Sequence, residues 1–303
     1  MRPTKRSHRS GFARPLSGAL RLASSALDAS VRNLDNARRI TKFLRGRLDF
    51  EVRPDDVFIS SYPRSGTTLT QWIVHLLAHR EQSDPDHLTQ VSPWFERSLA
   101  IGELTATTLE SFPSPRVFKS HLPREWLPNG ARYIYVERDP RDVLVSYYHF
   151  YGAYLGFEGT FDDFYTRFMA GRVQYGSWFD HVEGWRSHAG EANVHIIRYE
   201  DLVGDRRGSI ARIAALLDWD RDDAWLDRVF EESSFEAMKQ KESLFDHATA
   251  LLLERGVSPE SFLRSGTSGA GEAQLSEGQR REIRERRSSV RPLAFRGLAS
   301  FLQ

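Results

Sequence analysis

Short apolar runs alternate with longer amphipathic stretches through the central part of the chain. Residues 57–60, 117–120, 133–137 and 194–198 have the length and composition of buried strands. Helical patterns follow the first, third and fourth of these runs, at about 69–77, 141–151 and 206–217. Strands that alternate with helices predict an α/β fold, in which a parallel sheet is covered by helices on both faces.

Residues 1–47 differ in composition from the rest of the chain. Basic residues dominate this segment before its first acid, Asp28, and the apolar positions from Leu16 to Leu44 have partly helical spacing. Three interpretations stay open: a solvated basic extension with a packed helix, an organelle transit peptide, or a segment that contacts an anionic membrane surface or a partner. No repeat or linker divides the remainder, so we predict a single domain over residues 48–303.

Composition narrows the function classes without selecting one. The chain has 303 residues, a formal net charge of +1 and no cysteine. Disulfides, thiolate metal sites and cysteine nucleophiles are therefore excluded, and the overall charge favours neither nucleic acid nor membrane as a partner. No metal-ligand cluster stands out, and no apolar run approaches the roughly 20 residues that span a bilayer. We expect a cytoplasmic protein, or an organelle protein if the first segment is a transit peptide.

The segment after the first predicted strand reads Tyr-Pro-Arg-Ser-Gly-Thr-Thr and covers residues 62–68. Gly66 allows a tight turn, and the main-chain N–H groups at the start of the next helix favour an anion. Thr67 and Thr68 add hydroxyl donors, and Arg64 adds a positive charge. The alternative is an ordinary strand-to-helix turn. A small-molecule kinase is not favoured, because the Gly-Lys pair of its phosphate loop is missing.

Lys119 and His121 come at the end of the second predicted strand. In an extended chain their side chains point to the same side. A histidine is suited to take a proton from an alcohol near neutral pH, and an ammonium group neutralises a developing oxyanion. The pair therefore suggests catalysis, with a purely structural pair as the alternative.

Arg138 ends the third predicted strand, and Ser146 lies two turns into the helix that follows. An arginine at a strand end is able to bind a phosphate with two parallel hydrogen bonds, and the serine is able to donate to the same group. The alternative is a surface arginine that pairs with a nearby aspartate. Because all three segments follow predicted parallel strands, we expect them to share one edge of the sheet.

Together these segments resemble the sulfotransferases that use 3′-phosphoadenosine 5′-phosphosulfate (PAPS), in particular the cytosolic branch. Residues 62–68 are similar to that family's 5′-phosphosulfate loop, and residues 138–148 to its 3′-phosphate motif. Residues 198–201 and 233–238 match two further family segments in the same order. The resemblance implies a P-loop-like three-layer fold with a central parallel sheet. It also implies transfer of a sulfuryl group from PAPS to a hydroxyl or amine of a small, apolar acceptor, leaving adenosine 3′,5′-bisphosphate (PAP).

The resemblance implies a role for each matching residue. His121 would be the general base, and Lys119 and Arg64 would stabilise charge on the transferred group. PAPS would be the co-substrate, without a metal ion. The residues implied for binding it are Arg64, Ser65, Gly66, Thr67, Thr68, Arg138, Ser146, Tyr199, Ser233, Arg264 and Gly266.

Three positions depart from the family pattern. Arg64 replaces a lysine, Leu69 replaces a tryptophan that stacks on adenine, and Ser265 replaces the lysine of an Arg-Lys-Gly motif. These departures motivate two alternatives: a non-catalytic module that binds PAPS or PAP, and a carbohydrate-type sulfotransferase. The joint presence of Lys119 and His121 favours an enzyme. An apolar acceptor is expected if the nearby aromatic residues line its pocket; these are Trp94, Phe95, Phe150, Tyr151, Phe157 and Phe245.

Overall fold

Four parallel strands form the centre of the molecule. The computed structural model describes residues 13–79, 85–246, 263, 266 and 268–289. The strands are β1 Val57–Ser61, β2 Val117–Ser120, β3 Arg132–Glu137 and β4 Val194–Arg198, in the sheet order β2-β1-β3-β4. All three pairings are parallel. The carboxyl ends of the strands therefore meet at one edge of the sheet, as the sequence pattern predicts.

Helices connect the strands and cover the sheet. Numbered along the chain, they are α1 Ala13–Leu48, α2 Thr67–Ala78, α3 Leu88–Val91, α4 Phe95–Ile101, α5 Ala106–Ser111, α6 Pro140–Leu155, α7 Phe161–Met169, α8 Trp178–Arg186, α9 Tyr199–Gly204, α10 Arg206–Leu216, α11 Asp223–Glu232, α12 Phe235–Gln240, α13 Glu242–Phe245, α14 Ala270–Gln274 and α15 Glu277–Ser289. The three helices predicted after strands are confirmed as α2, α6 and α10.

Alternate residues of the strands enter two separate hydrophobic cores. Phe58 and Tyr135 belong to the core on one face of the sheet, whereas Ile59 and Ile134 belong to the core on the other face. Helix α6 contributes to the first core, and helices α2 and α10 contribute to the second. The sheet is thus buried on both faces, and the polar carboxyl edge is left to form a site.

The long helix α1 is anchored near its carboxyl end. Phe43 is fully buried, and its ring lies 6.5 Å from that of Trp126. Ile40 packs against the same core, and α1 makes its main contacts with α4. Within the residues that the structure describes, no helix is long and apolar enough to span a membrane.

Candidate active site

The loop between β1 and α2 has an unusual backbone. Arg64 has a φ of 68° and Gly66 a φ of 97°, so two residues of one short loop adopt left-handed conformations. A non-glycine residue in this region costs free energy, and such residues cluster at functional sites. Gly66 is required for a second reason, because a Cβ atom there would lie 2.3 Å from the Tyr199 ring.

The start of α2 is prepared for an anion. Gly66 precedes the helix, and no side chain caps its first N–H groups. Ser65 is 1% exposed, and its hydroxyl has no hydrogen-bond partner among the described residues. Thr67 is buried, with its hydroxyl 2.5 Å from Ser61 Oγ, whereas Thr68 is half-buried. A buried donor beside an uncapped helix start is the arrangement that a phosphate or sulfate group needs.

Arg138 connects the ends of three strands. Its Nη1 donates to the carbonyl oxygen of Arg64 at 3.1 Å, and its guanidinium lies 4.3 Å from the centre of the Tyr199 ring, just after β4. Ser146 reaches the same place from α6, and its hydroxyl accepts from Arg64 Nε at 3.1 Å. Four of the predicted binding residues are therefore joined by direct contacts. That Ser146 and Arg138 bind the same phosphate stays a prediction; the structure joins Ser146 to Arg64.

His121 lies just after β2 and is 5% exposed. Its Nδ1 is 2.8 Å from the carbonyl oxygen of Ser61, at the end of the neighbouring strand β1. Because a carbonyl oxygen only accepts, Nδ1 carries the hydrogen and Nε2 keeps the basic lone pair. Burial, and after it the positive charge of Lys119, lowers the pKa of His121 well below its usual value. The ring is therefore neutral at physiological pH and able to accept a proton.

Lys119 lies beside the same histidine. Its Nζ is 4.1 Å from the centre of the Trp94 ring, and that ring also contacts the His121 ring edge-on at 5.3 Å. Backbone pairing between Trp94 and Lys119 holds the two segments together. Burial lowers the pKa of Lys119 to about 8, while Glu96 raises it in part and nearby arginines lower it further. The lysine is thus positively charged at neutral pH but close to its titration range.

The remaining predicted residues lie further from this cluster. Ser233 is buried at the end of α11, where its hydroxyl donates to Phe230 O at 3.4 Å. The carbonyl oxygen of Gly266 accepts from the Tyr199 hydroxyl at 3.4 Å, so this glycine does approach the site. Arg264 lies outside the described residues.

Two buried acids lie beside the site; the sequence analysis considered Asp142 only as an ion-pair partner of Arg138 and did not consider Glu96. Asp142 accepts from the backbone N–H groups of Gly269 and Gly271, both at 2.8 Å, and its carboxylate is 3.8 Å from Arg138. It therefore holds the segment around α14 against α6, next to the Arg138 cluster. Glu96 is fully buried in α4. A single acid that follows Trp94 and Phe95 in the sequence does not by itself reveal a partner.

Comparisons with known proteins agree on one family. The model of the sulfotransferase domain matches residues 54–288. The amine sulfotransferase of Oryctolagus cuniculus is 35% identical over 75% of this chain and 78% of its own length. The sulfotransferase 1 family member D1 of Mus musculus is 36% identical over 78% of this chain and 83% of its own length.

Solved structures agree in fold. A retinol dehydratase in complex with androsterone and the inactive cofactor PAP has a TM-score of 0.70 and 24% identity, covering 84% of this chain and 88% of its own. A mouse sulfotransferase complexed with PAP has a TM-score of 0.64 and 26% identity, covering 81% and 87%. The predicted P-loop-like α/β fold is confirmed.

Proposed function

The chain belongs to the sulfotransferase family, in its cytosolic branch, and we propose that it transfers the sulfuryl group of PAPS to a hydroxyl or amine of a small, apolar acceptor. The observation that carries the proposal is the position of His121 and Lys119 at the end of β2, beside the end of β1 and the loop that follows it. Because the relatives are named as sulfotransferases, a non-catalytic binding module is not favoured. The predicted cytoplasmic location stays a prediction.

The residues present fit an adenosine bisphosphate group. The loop from Arg64 to Thr68 would hold the 5′ end, because it combines the uncapped start of α2 with the buried Ser65 hydroxyl. Arg138 and Ser146 would hold the 3′-phosphate, and Tyr199 would contact the adenosine. PAPS, when bound, supplies the sulfuryl group and is converted to PAP. A relative in the fold comparison was crystallised with PAP, which supports this assignment.

His121 acts as the general base in this proposal. The Ser61 carbonyl fixes Nδ1 as the donor, so the acceptor's hydroxyl or amine proton moves to Nε2. The lowered pKa of His121 keeps the ring unprotonated before the reaction. Lys119 and Arg64 place positive charge next to the transferred group, where negative charge develops on oxygen. Arg64 cannot donate a proton, so its contribution is electrostatic and geometric.

The aromatic residues around His121 favour an apolar acceptor. Two aromatic rings flank His121: Trp94 at 5.3 Å and Tyr175 at 5.2 Å between ring centres. Of the aromatic residues nominated from the sequence, Phe95, Tyr151 and Phe245 belong to the hydrophobic cores. A ring or chain that packs on Trp94 would place its polar group near Nε2 of His121.

The test of the proposed function is transfer of labelled sulfate from PAPS to a panel of phenols, aliphatic alcohols, amines and sugars, with a parallel titration of PAP. We expect PAP to bind and sulfate to move to phenols, alcohols or amines in preference to sugars. Absence of both binding and transfer would remove the assignment. Transfer to sugars alone would identify a carbohydrate-type enzyme instead.

We further propose that α1 contacts an anionic membrane surface. Leu27, Val31 and Leu34 are 69%, 57% and 71% exposed and lie on one side of the helix. The buried Phe43 lies about two and a half turns from Leu34, on the opposite side. The helix carries eight basic and two acidic residues. A second copy of this helix would be repelled by that charge, whereas an anionic lipid surface would attract it.

Vesicle sedimentation of the full chain tests this contact. We expect binding to vesicles that contain phosphatidylserine and not to vesicles of phosphatidylcholine alone. The triple variant Leu27→Gln, Val31→Gln, Leu34→Gln should bind about tenfold more weakly, since three apolar side chains no longer enter the interface. Leu216→Gln, an exposed leucine on α10, is the matched control and should bind normally. Unchanged binding of the triple variant would contradict the proposal.

A further inference from the structure

A buried carboxylate behind the proposed reaction site has no part in the mechanism above. Glu96, the second residue of α4, is 0% exposed. Its Oε1 accepts from Trp94 Nε1 at 2.6 Å, from the backbone N–H of His121 at 2.8 Å and from the Tyr175 hydroxyl at 3.2 Å. These donors come from three segments: before α4, after β2 and before α8. One oxygen atom therefore joins the three segments that surround the histidine.

The donors are the same groups that enclose the His121 ring. The Trp94 and Tyr175 rings meet it edge-on, at interplanar angles of 89° and 68°. Each of these two side chains has its polar atom on Glu96 and its ring against the histidine. Rotation of either aromatic ring away from His121 would thus break a hydrogen bond to a buried carboxylate, which is unfavourable.

The charge of Glu96 is opposite in sign to the charges of its neighbours. Burial, Arg97 and Arg64 lower the pKa of Lys119, whereas Glu96 raises it. Lys119, His181 and Arg64 likewise disfavour a positive charge on His121. The titratable and charged groups that face this pair are Arg64, His87, Glu96, Arg97, Tyr175 and His181. A negative charge on Glu96 therefore favours the protonated form of the lysine among several cations.

The geometry favours the ionised form of Glu96. Three donors converge on Oε1, and each stabilises a carboxylate. The side chain of Ser120 acts in the same direction, since its hydrogen bond also lowers the pKa of Glu96. Burial acts in the opposite direction and raises the pKa of Glu96. Hydrogen bonds from Trp94 and from the backbone N–H of His121 counteract part of this effect.

We propose that Glu96 is a positioning residue of the sulfotransfer site, whose ionised carboxylate orients Trp94, Tyr175 and His121 and keeps Lys119 positively charged. The inference rests on the proposed roles of Lys119 and His121. Glu96 itself is enclosed by protein and acts through these neighbours. It adds to the reaction site an element that the motifs in the sequence do not contain.

The variant Glu96→Gln tests both parts of the inference. It keeps an acceptor oxygen for the three donors and removes the negative charge. We expect kcat to fall about tenfold, PAP affinity to stay unchanged, and the alkaline limb of kcat/KM to move to lower pH by about one unit. Glu103→Gln is the matched control, because this exposed acid follows α4 and its carboxylate accepts from the Ser98 hydroxyl. It should match the wild type.

The outcomes separate this inference from the proposed function. If Glu96→Gln transfers sulfate at the wild-type rate and its alkaline limb is not shifted, the inference is overturned and the proposed function is unaffected. Absence of transfer by the wild type with every acceptor would instead count against the function. If Glu96→Gln does not fold, Tyr175→Phe removes one donor and keeps the ring. A severalfold lower kcat with unchanged PAP affinity is then expected, and a wild-type kcat would overturn the inference.

Discussion

The proposed site has two halves that use different kinds of charge. The nucleotide half, formed by Arg64, Arg138, Ser146 and Tyr199, contains guanidinium groups that stay charged at any accessible pH. The reaction half, formed by Glu96, Lys119, His121 and Trp94, contains groups whose protonation burial has shifted. The difference teaches that binding and turnover should be separable. Nucleotide affinity should therefore stay constant over the pH range in which turnover rises and falls.

The largest expected effect is loss of turnover without loss of binding. In His121→Ala the base is absent, and we expect kcat to fall by about 10² to 10⁴ while PAP affinity changes less than about twofold. Steady-state kinetics and PAP calorimetry measure the two quantities. His121→Asn is the control for structure, because its amide is able to donate to Ser61 O but provides no base. A kcat equal to that of the wild type in either variant would show that His121 is not the general base.

The converse experiment is the variant Arg138→Gln. It removes a guanidinium that contacts Arg64 O and Tyr199, and we expect PAP affinity to fall roughly 100-fold, as for loss of a two-bond contact to phosphate. Arg186→Gln is the matched control, since this arginine pairs with Glu137, the residue before Arg138, at 2.6 Å. Equal PAP affinities in the two variants would contradict the division into halves.

The pH dependence of kcat/KM sharpens the comparison further. Turnover requires neutral His121 and charged Lys119. The pKa of His121 lies well below 6.5, so activity should be lost only at distinctly acidic pH. The pKa of Lys119 is about 8, so activity should fall about tenfold per pH unit above that value. Lys119→Arg keeps the charge, so its rate should show no decline near pH 8. A decline that persists in this variant would assign the limb to another group.

Sequence reasoning reached the nucleotide half more completely than the reaction half. Arg64, Arg138 and Tyr199 follow strand ends, and the parallel topology alone brings strand ends together. Gly66 was predicted from the turn, although its close approach to Tyr199 depends on packing that no local pattern encodes. Arg264 and the boundaries of the single domain stay predictions.

The support around His121 could not be read from the chain. Glu96 and Tyr175 are 79 residues apart and meet only through the packing of α4 against the segment before α8. The tautomer of His121 depends on a carbonyl oxygen of β1, which every residue has and which carries no sequence signal. Strand and helix periodicity identifies which elements form, while such contacts between distant segments depend on how those elements pack.

The smallest effect expected concerns a single hydroxyl of the nucleotide half. Ser65 Oγ is buried without a partner in the described part of the chain, so Ser65→Ala removes an unsatisfied group and should not lower the thermal midpoint. PAP affinity should fall roughly fivefold to tenfold, because one hydrogen bond to an anion is lost.

Ser61→Ala provides the matched control. The Ser61 hydroxyl bonds Tyr62 O and Thr67 Oγ1, so its removal should lower the free energy of unfolding by about 1 kcal/mol. A destabilised Ser65→Ala with normal PAP affinity would show that Ser65 supports the fold, and the nucleotide half would then rely on its arginines and the start of α2.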